Sequence, residues 1–335
     1  MNIINNVVRI FCLSTLFLSI GTPANDKMRV RSLFDINKSF CAIRTNGVLG
    51  MDNRDSALEG VGMGTSSTNA MLILENGIND ITIEMGALGW FSTKNKDSKR
   101  RDSFSPESYC KLTLKLFTGG DWNVLSQMQV SVNDKGLPQV DKQQSIGGNI
   151  DSQKIMAWQT ESGHFDKDYL NENYYPRGMH LYQFTQKVEM RGLPEWRWVK
   201  ATPYTGKPEQ IQALKDAYSE LWQFFESKDN KAIKNNMKEL LNAWTITTDS
   251  TMDGLYNSHQ FVDDFKNKSF KMIPINWDDY QVEVMNKGRL VRFVNKSDPT
   301  IYPLAYHITS EEGYEGISFF SPIFAFIDGK FIPVI

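Results

Sequence analysis

The stretch Ala70-Met-Leu-Ile-Leu-Glu-Asn-Gly-Ile-Asn-Asp-Ile-Thr-Ile-Glu-Met-Gly-Ala-Leu-Gly-Trp-Phe91 restricts the choice of fold more than any other part of the chain. Two apolar runs flank Asn76-Gly77, and an Asn-Gly pair in that setting signals a hairpin because both residues accept positive φ. Ile81, Ile83 and Met85 alternate with Thr82 and Glu84, the period of a strand with one buried face. Met71-Leu-Ile-Leu74 is apolar throughout, which suits a central strand covered on both sides. Such a hairpin commits the first half of the chain to antiparallel sheet and carries no chemistry of its own.

The neighbouring segments follow the same period. Ser39–Thr45 reads as a strand with Phe40, Ala42 and Arg44 on one face and Cys41 and Ile43 on the other. Cys110, Leu112, Leu114 and Leu116 alternate with Lys111, Thr113 and Lys115, Gly119-Gly-Asp121 turns the chain, and Met128, Val130 and Val132 form another inward row. Residues 133–178 are polar and read as a long excursion, before a strand from Leu181 to Met190 and the closing Trp196-Arg-Trp198. No convincing helix interrupts the series, so residues 25–203 are expected to form an antiparallel β-sandwich.

The period changes near Pro203. Ile211, Leu214, Tyr218, Leu221, Trp222 and Phe225 recur at helical spacing, with Pro208 where a first turn tolerates it. Asp229 is placed to cap a second helix through Ile233, Met237, Leu240, Leu241 and Trp244. A weaker third helix runs from Met252 to Phe265, interrupted by Gly254. Strands then return at Tyr280–Val284, Leu290–Val294, Leu304–Ile308 and Ser321–Ile327, and Asp328-Gly329 turns into the last residues. Residues 204–335 therefore read as an α+β domain of helices followed by one curved antiparallel sheet, a cystatin- or NTF2-like layout by analogy. Two domains also suit 335 residues, more than one core comfortably serves.

The N-terminus reads as an address. Arg9 precedes the apolar run Ile10–Gly21, which is too short to span a bilayer comfortably, and Thr22-Pro-Ala24 supplies the small residues a signal peptidase needs. Residues 1–24 are expected to be a signal peptide cleaved after Ala24, with a retained membrane anchor as the alternative. Export would place the mature chain in an oxidising compartment with two cysteines, Cys41 and Cys110, and one disulfide between them is expected; two buried free thiols are the other reading. A net charge of −2 is too small to imply nucleic acid or an anionic membrane as partner, since either would favour a basic face.

Catalytic patterns are weak. The four histidines, His164, His180, His259 and His307, show no metal-ligand spacing, and neither a Cys-x-x-Cys nor a Gly-x-Ser-x-Gly motif occurs. Gly60-Val-Gly-Met-Gly-Thr-Ser-Ser67 lacks the lysine of a phosphate-binding loop and reads as a flexible Gly-rich turn. Glu161-Ser-Gly-His164-Phe-Asp166 contains groups able to relay a proton or bind a cation, although polar loops more often carry such residues for surface hydrogen bonds. Trp196 and Trp198 have the chemistry to stack on a sugar or anchor a partner, or else to pack a core. No cofactor, metal or catalytic residue is assigned, and His164, Trp196 and Trp198 stand as candidate contacts.

Met71 to Trp90, Leu193-Pro-Glu-Trp-Arg-Trp-Val-Lys-Ala-Thr-Pro-Tyr204, Asn286-Lys-Gly-Arg289 and Gly329-Lys-Phe-Ile-Pro-Val-Ile335 together resemble a family of exported Gram-negative bacterial proteins. That family is associated with type VI secretion loci, beside lipase or phospholipase effectors. The resemblance implies a periplasmic immunity protein that binds and occludes a secreted toxic enzyme, with no catalysis of its own and no membrane span after processing. A periplasmic glycan- or lipid-binding module is the alternative, and a hydrolase using His164 a third.

Overall fold

The computed structural model describes residues 28–92, 97–169, 174–310 and 312–335; the expected signal peptide lies outside them. Two five-stranded antiparallel sheets stack in the first part. One has the order β4 (Gly64–Thr68), β1 (Arg29–Asn37), β6 (Tyr109–Thr118), β7 (Asp121–Val132), β8 (Pro138–Val140). The other has the order β3 (Val48–Asp52), β2 (Phe40–Thr45), β5 (Gly77–Gly86), β10 (His180–Met190), β9 (Ile150–Met156). Cys110, Leu112 and Leu114 of β6 meet Cys41 and Ile43 of β2 and Ile83 and Met85 of β5 in one core, as the alternation requires. A Cys41–Cys110 disulfide links β2 to β6, and so one sheet to the other.

The Asn76-Gly77 expectation fails on one arm. Gly77 opens β5, which pairs with β2 and β10 instead of folding back on its predecessor. Ala70–Ile73 is a buried 3-10 turn, not a strand. Its carbonyls are capped from afar: the Trp196 indole donates to Met71 O at 3.0 Å and Leu74 O at 3.1 Å, and the Trp198 indole to Leu72 O at 3.2 Å. The Asn46 amide donates to Ile73 O and the Asn79 amide to Glu75 O. Four consecutive apolar side chains favour burial by any backbone whose polar groups are satisfied, and here side chains replace the ladder. The polar excursion also holds more structure than expected, since β8 and β9 lie within it.

The first part also carries two short helices, α1 (Arg54–Leu58) and α2 (Ser98–Arg101). In the second part α3 (Pro208–Glu226) buries Leu214, Tyr218, Leu221 and Phe225, and the Asp229 carboxylate accepts from Ala232 N as a cap. The second helix divides at Met237 into α4 (Asn230–Asn236) and α5 (Lys238–Thr247). The third breaks at Gln260, in the left-handed region with φ +62°, giving α6 (Met252–Ser258) and α7 (Phe261–Asp264); Gly254 stays inside α6. The single curved sheet expected here is two sheets. One has the order β11 (Lys271–Met272), β14 (Leu304–Thr309), β15 (Glu315–Phe320), and the other β12 (Tyr280–Met285), β13 (Leu290–Asn295), β16 (Phe324–Ile327), β17 (Lys330–Pro333). Among the described residues no helix is long and apolar enough to cross a membrane.

The two parts share a core. Ala243, Met285, Leu290, Ile323, Ala325 and Val334 belong to the same apolar cluster as the sandwich interior. Above it, Arg289 donates from both terminal nitrogens to the Glu75 carboxylate and from Nη1 to Val199 O at 3.1 Å. A second polar row crosses the junction. Gln183 donates to Glu84, Arg44 lies 3.1 Å from Glu84 and 3.8 Å from Glu283, and Arg292 donates to Glu283 at 2.6 Å.

Two outcomes test this architecture. Cys110→Ser is expected to lower stability by about 2–5 kcal/mol in denaturant titrations, and an unchanged midpoint in reductant would count against the disulfide's role. Trp198→Phe keeps a ring in place but strands Leu72 O without its donor, so a loss of about 1–3 kcal/mol is expected. A midpoint matching the wild type would show that the carbonyl does not need the indole.

Candidate functional site

After β9 the chain leaves the sandwich, crosses to the second part and returns to β10. It is fastened at both ends. Glu161 N donates to Lys296 O at 2.8 Å, Ser297 Oγ donates to Glu161 O at 2.6 Å and accepts from His164 N, and Asn295 donates to His164 O. On the return, the Tyr174 hydroxyl donates to Asp52 at 2.6 Å, while Arg54 donates to Tyr174 O and lies over its ring. Burial pushes the Asp52 carboxyl above its ordinary range, against the pull of the Tyr174 hydroxyl and Arg54.

His164 sits at the first crossing. Its Nδ1 is 2.9 Å from Asp279, whose second oxygen accepts from Asn276, and its Nε2 is 3.4 Å from Glu161. The ring borders a cavity of about 330 Å³ lined also by Asp166, Tyr280 and His307. An imidazole oriented by a carboxylate is one half of a general base; the other half is a second nitrogen turned to a substrate or nucleophile. Here that nitrogen faces Glu161, and among the described residues no serine, threonine or cysteine lines the cavity. Burial, with the Asp279 carboxylate, pushes the Tyr280 phenol far up, so it stays protonated. Among the described residues no group of three or more His, Cys, Asp or Glu side chains is arranged to hold a metal ion. The arrangement fastens a crossing segment. Asp279 lies 115 residues from His164, and such a pair leaves no spacing pattern to read.

Trp196 and Trp198 are 5% and 2% exposed, with both indole N–H groups spent on the 71–74 carbonyls. Neither ring offers a face to a ligand or partner, so of the two readings of this pair the core role describes the structure.

Exposed apolar side chains are scattered over several elements, and three of them fall on one short loop. Between α1 (Arg54–Leu58) and β4, Val61 N and Gly62 N both donate to Ser56 O at 3.0 Å, Met63 N donates to Ser56 Oγ, and Ser39 N donates to Gly62 O. Gly62 has φ +63°, and a Cβ there would come within 2.8 Å of Ser39 N and closer still to Leu88. This fixed loop presents Leu58, Val61 and Met63 at 45%, 47% and 55% exposure. The flexible turn expected from the glycines is an ordered ridge, because the groups that order it, Ser39 and Leu88, lie outside the local sequence. One signal was available: large apolar side chains between glycines with no periodic element to bury them.

His164→Ala is expected to free the crossing segment without unfolding the protein. Amide exchange at Glu161 and His164 should quicken by roughly tenfold or more, the loss of about 1.5–3 kcal/mol of charge-assisted hydrogen bonding. Equal exchange in variant and wild type would show that the backbone bonds to Asn295 and Ser297 suffice.

A scan against protein-family models, a search of curated proteins and a search of solved structures each found no match.

Proposed function

We propose that this is a periplasmic immunity-type protein that binds a secreted toxic enzyme and occludes its active site, without catalysing a reaction. The observation that carries the reading is the ordered ridge Leu58–Val61–Met63. An apolar surface fixed before binding loses little conformational entropy on association, and methionine is enriched at protein interfaces. The inter-sheet disulfide suits an oxidising compartment, and the sequence resemblance suggests a lipase or phospholipase effector encoded alongside. A second reading, a lipid-binding module, draws on an apolar recess of about 620 Å³ lined by Met28, Met71, Leu193, Pro194 and Ile246.

Neutralising a toxin requires sub-micromolar affinity, better than about −8 kcal/mol. That calls for roughly 1,200–2,000 Å² of total buried surface, more than the ridge alone supplies. The test is survival of cells exporting the adjacent gene's product to the periplasm, with the protein, without it, and with residues 1–24 deleted. Protection by the full chain only is expected, and Met63→Asp should weaken binding to the effector at least tenfold, while His164→Ala protects fully. Absence of protection, or protection that persists without the leader, overturns the reading; vesicle binding lost in Leu193→Asp would favour the lipid module.

A further inference from the structure

We infer that the outward face of the β4–β1–β6–β7–β8 sheet binds a saccharide chain bearing acid groups, with Trp122 stacking on a sugar ring and Arg31 and Lys115 meeting its carboxylates or phosphates. The inference is independent of the protein-binding reading and uses residues outside the ridge. Alternation along β1 and β6 sends Val30, Phe34, Leu112 and Leu114 into the core, and so turns Arg29, Arg31, Lys111 and Lys115 outward. Arg31 stands directly opposite Lys115 in the ladder, and Arg29 opposite Phe117, which in turn faces Trp122 on β7. Like charges placed opposite one another on one face destabilise a sheet. Arg31 donates to the Ser67 hydroxyl and carbonyl, both neutral, and the Lys115 ammonium lies 3.9 Å from the centre of the Trp122 ring. Among the described residues no carboxylate pairs with either cation, whereas Arg44, Lys154 and Arg292 of the other sheets each have one. Asp35, the one acid on the outward face of these two strands, stands opposite Lys111 and accepts from the Tyr109 hydroxyl. Burial and the neighbouring Arg29 hold the Arg31 guanidinium below its ordinary value, the mark of positive charge left unbalanced.

Charge complementarity requires an anion here, and the rest of the face indicates what carries it. Trp122 is 55% exposed, and on β1, β4, β6 and β7 it is the one exposed large apolar side chain. Around the cations stand hydroxyl and amide side chains, Thr65 and Ser67 on β4 and Gln127 and Gln129 on β7. A protein partner calls for an apolar centre closed to water, and a lipid surface for a set of apolar side chains to insert. Single-stranded nucleic acid calls for a basic groove that tracks its backbone, longer than this row. A sugar needs less: one indole for the C–H face of its ring, hydroxyls and amides for its own hydroxyls, and cations for its acid groups.

The test titrates the full exported chain with oligogalacturonate, its uncharged methyl ester and a phosphomannan, and with polyglutamate and oligothymidylate as polyanions that are not saccharides. Binding to oligogalacturonate or to the phosphomannan is expected, at least tenfold tighter than to the ester and weakening as salt rises. The tighter of the two identifies the acid group as carboxylate or phosphate. Trp122→Ala is expected to cost at least tenfold, as is Arg31→Gln combined with Lys115→Gln. Lys115→Gln alone should melt no lower than the wild type, because it removes a like-charge pair, so its loss of binding is not a loss of fold. No binding to either acidic saccharide, or equal binding of the ester, of polyglutamate or of oligothymidylate, overturns the inference. Trp122→Ala is expected to protect fully against the adjacent gene's product, so the immunity reading stands or falls separately. Protection lost in that folded variant, with saccharide binding retained, would give this face to the protein partner and overturn the inference.

Discussion

Five carbonyls in succession, from Met71 to Glu75, are buried in the centre of this protein without belonging to a strand or a regular helix, and each accepts from a side chain. An unmet buried carbonyl costs about 1–3 kcal/mol, so the segment is tenable only when its donors are all in place. Those donors come from Asn46 on the β2–β3 turn, Asn79 at the start of β5, and Trp196 and Trp198 beyond β10. The sandwich, the segment that closes it and the 70–75 stretch are therefore mutually dependent. Neither tryptophan is replaceable by an aliphatic side chain of similar bulk, because the volume would be kept and the donor lost.

The same segment ties in the second part. Glu75 meets Arg289, which also reaches Asn286 and Val199 and lies over the Trp198 ring. A partly buried ion pair is weak evidence for net stability, since desolvation opposes the attraction, but losing one partner leaves a charge stranded. What such a pair provides is register: Arg289 reaches Glu75, Asn286 and Val199 together in one relative placement of the two parts. The row from Gln183 through Glu84, Arg44 and Glu283 to Arg292 works likewise, each charge facing its opposite. Together with the shared apolar cluster, these contacts make the junction part of the interior.

A body fastened in this way suits recognition by fixed surfaces. The crossing segment that carries His164 is anchored at both ends, and the loop before β4 is ordered by Ser56, Ser39 and Gly62. Of the groups that looked most like chemistry in the sequence, His164 meets Asp279 where the crossing segment is fastened, and the two tryptophans donate to buried carbonyls. Two of the exposed apolar side chains, Val61 and Met63, were hidden among glycines.

The sequence by itself determined the alternating strands β2, β5, β6, β7 and β10, and helix α3, because their periods of two and 3.6 follow from local geometry; that β2 and β5 are covered on both faces came only with the structure. The Cys41–Cys110 disulfide was legible as the one pair left once residues 1–24 are read as a cleaved leader carrying Cys12, with two free thiols as the other reading until the structure linked them. Only the tertiary structure decided that Met71–Leu74 would be a capped turn, since a uniformly apolar run has no period and its donors lie up to 126 residues away. It likewise decided the break at Gln260, the division of the last strands into two sheets, the meeting of His164 with Asp279, and the order in the Gly-rich loop. Each depends on contacts between distant residues, and hydrophobic period reports only which face a side chain turns inward, not what it meets there.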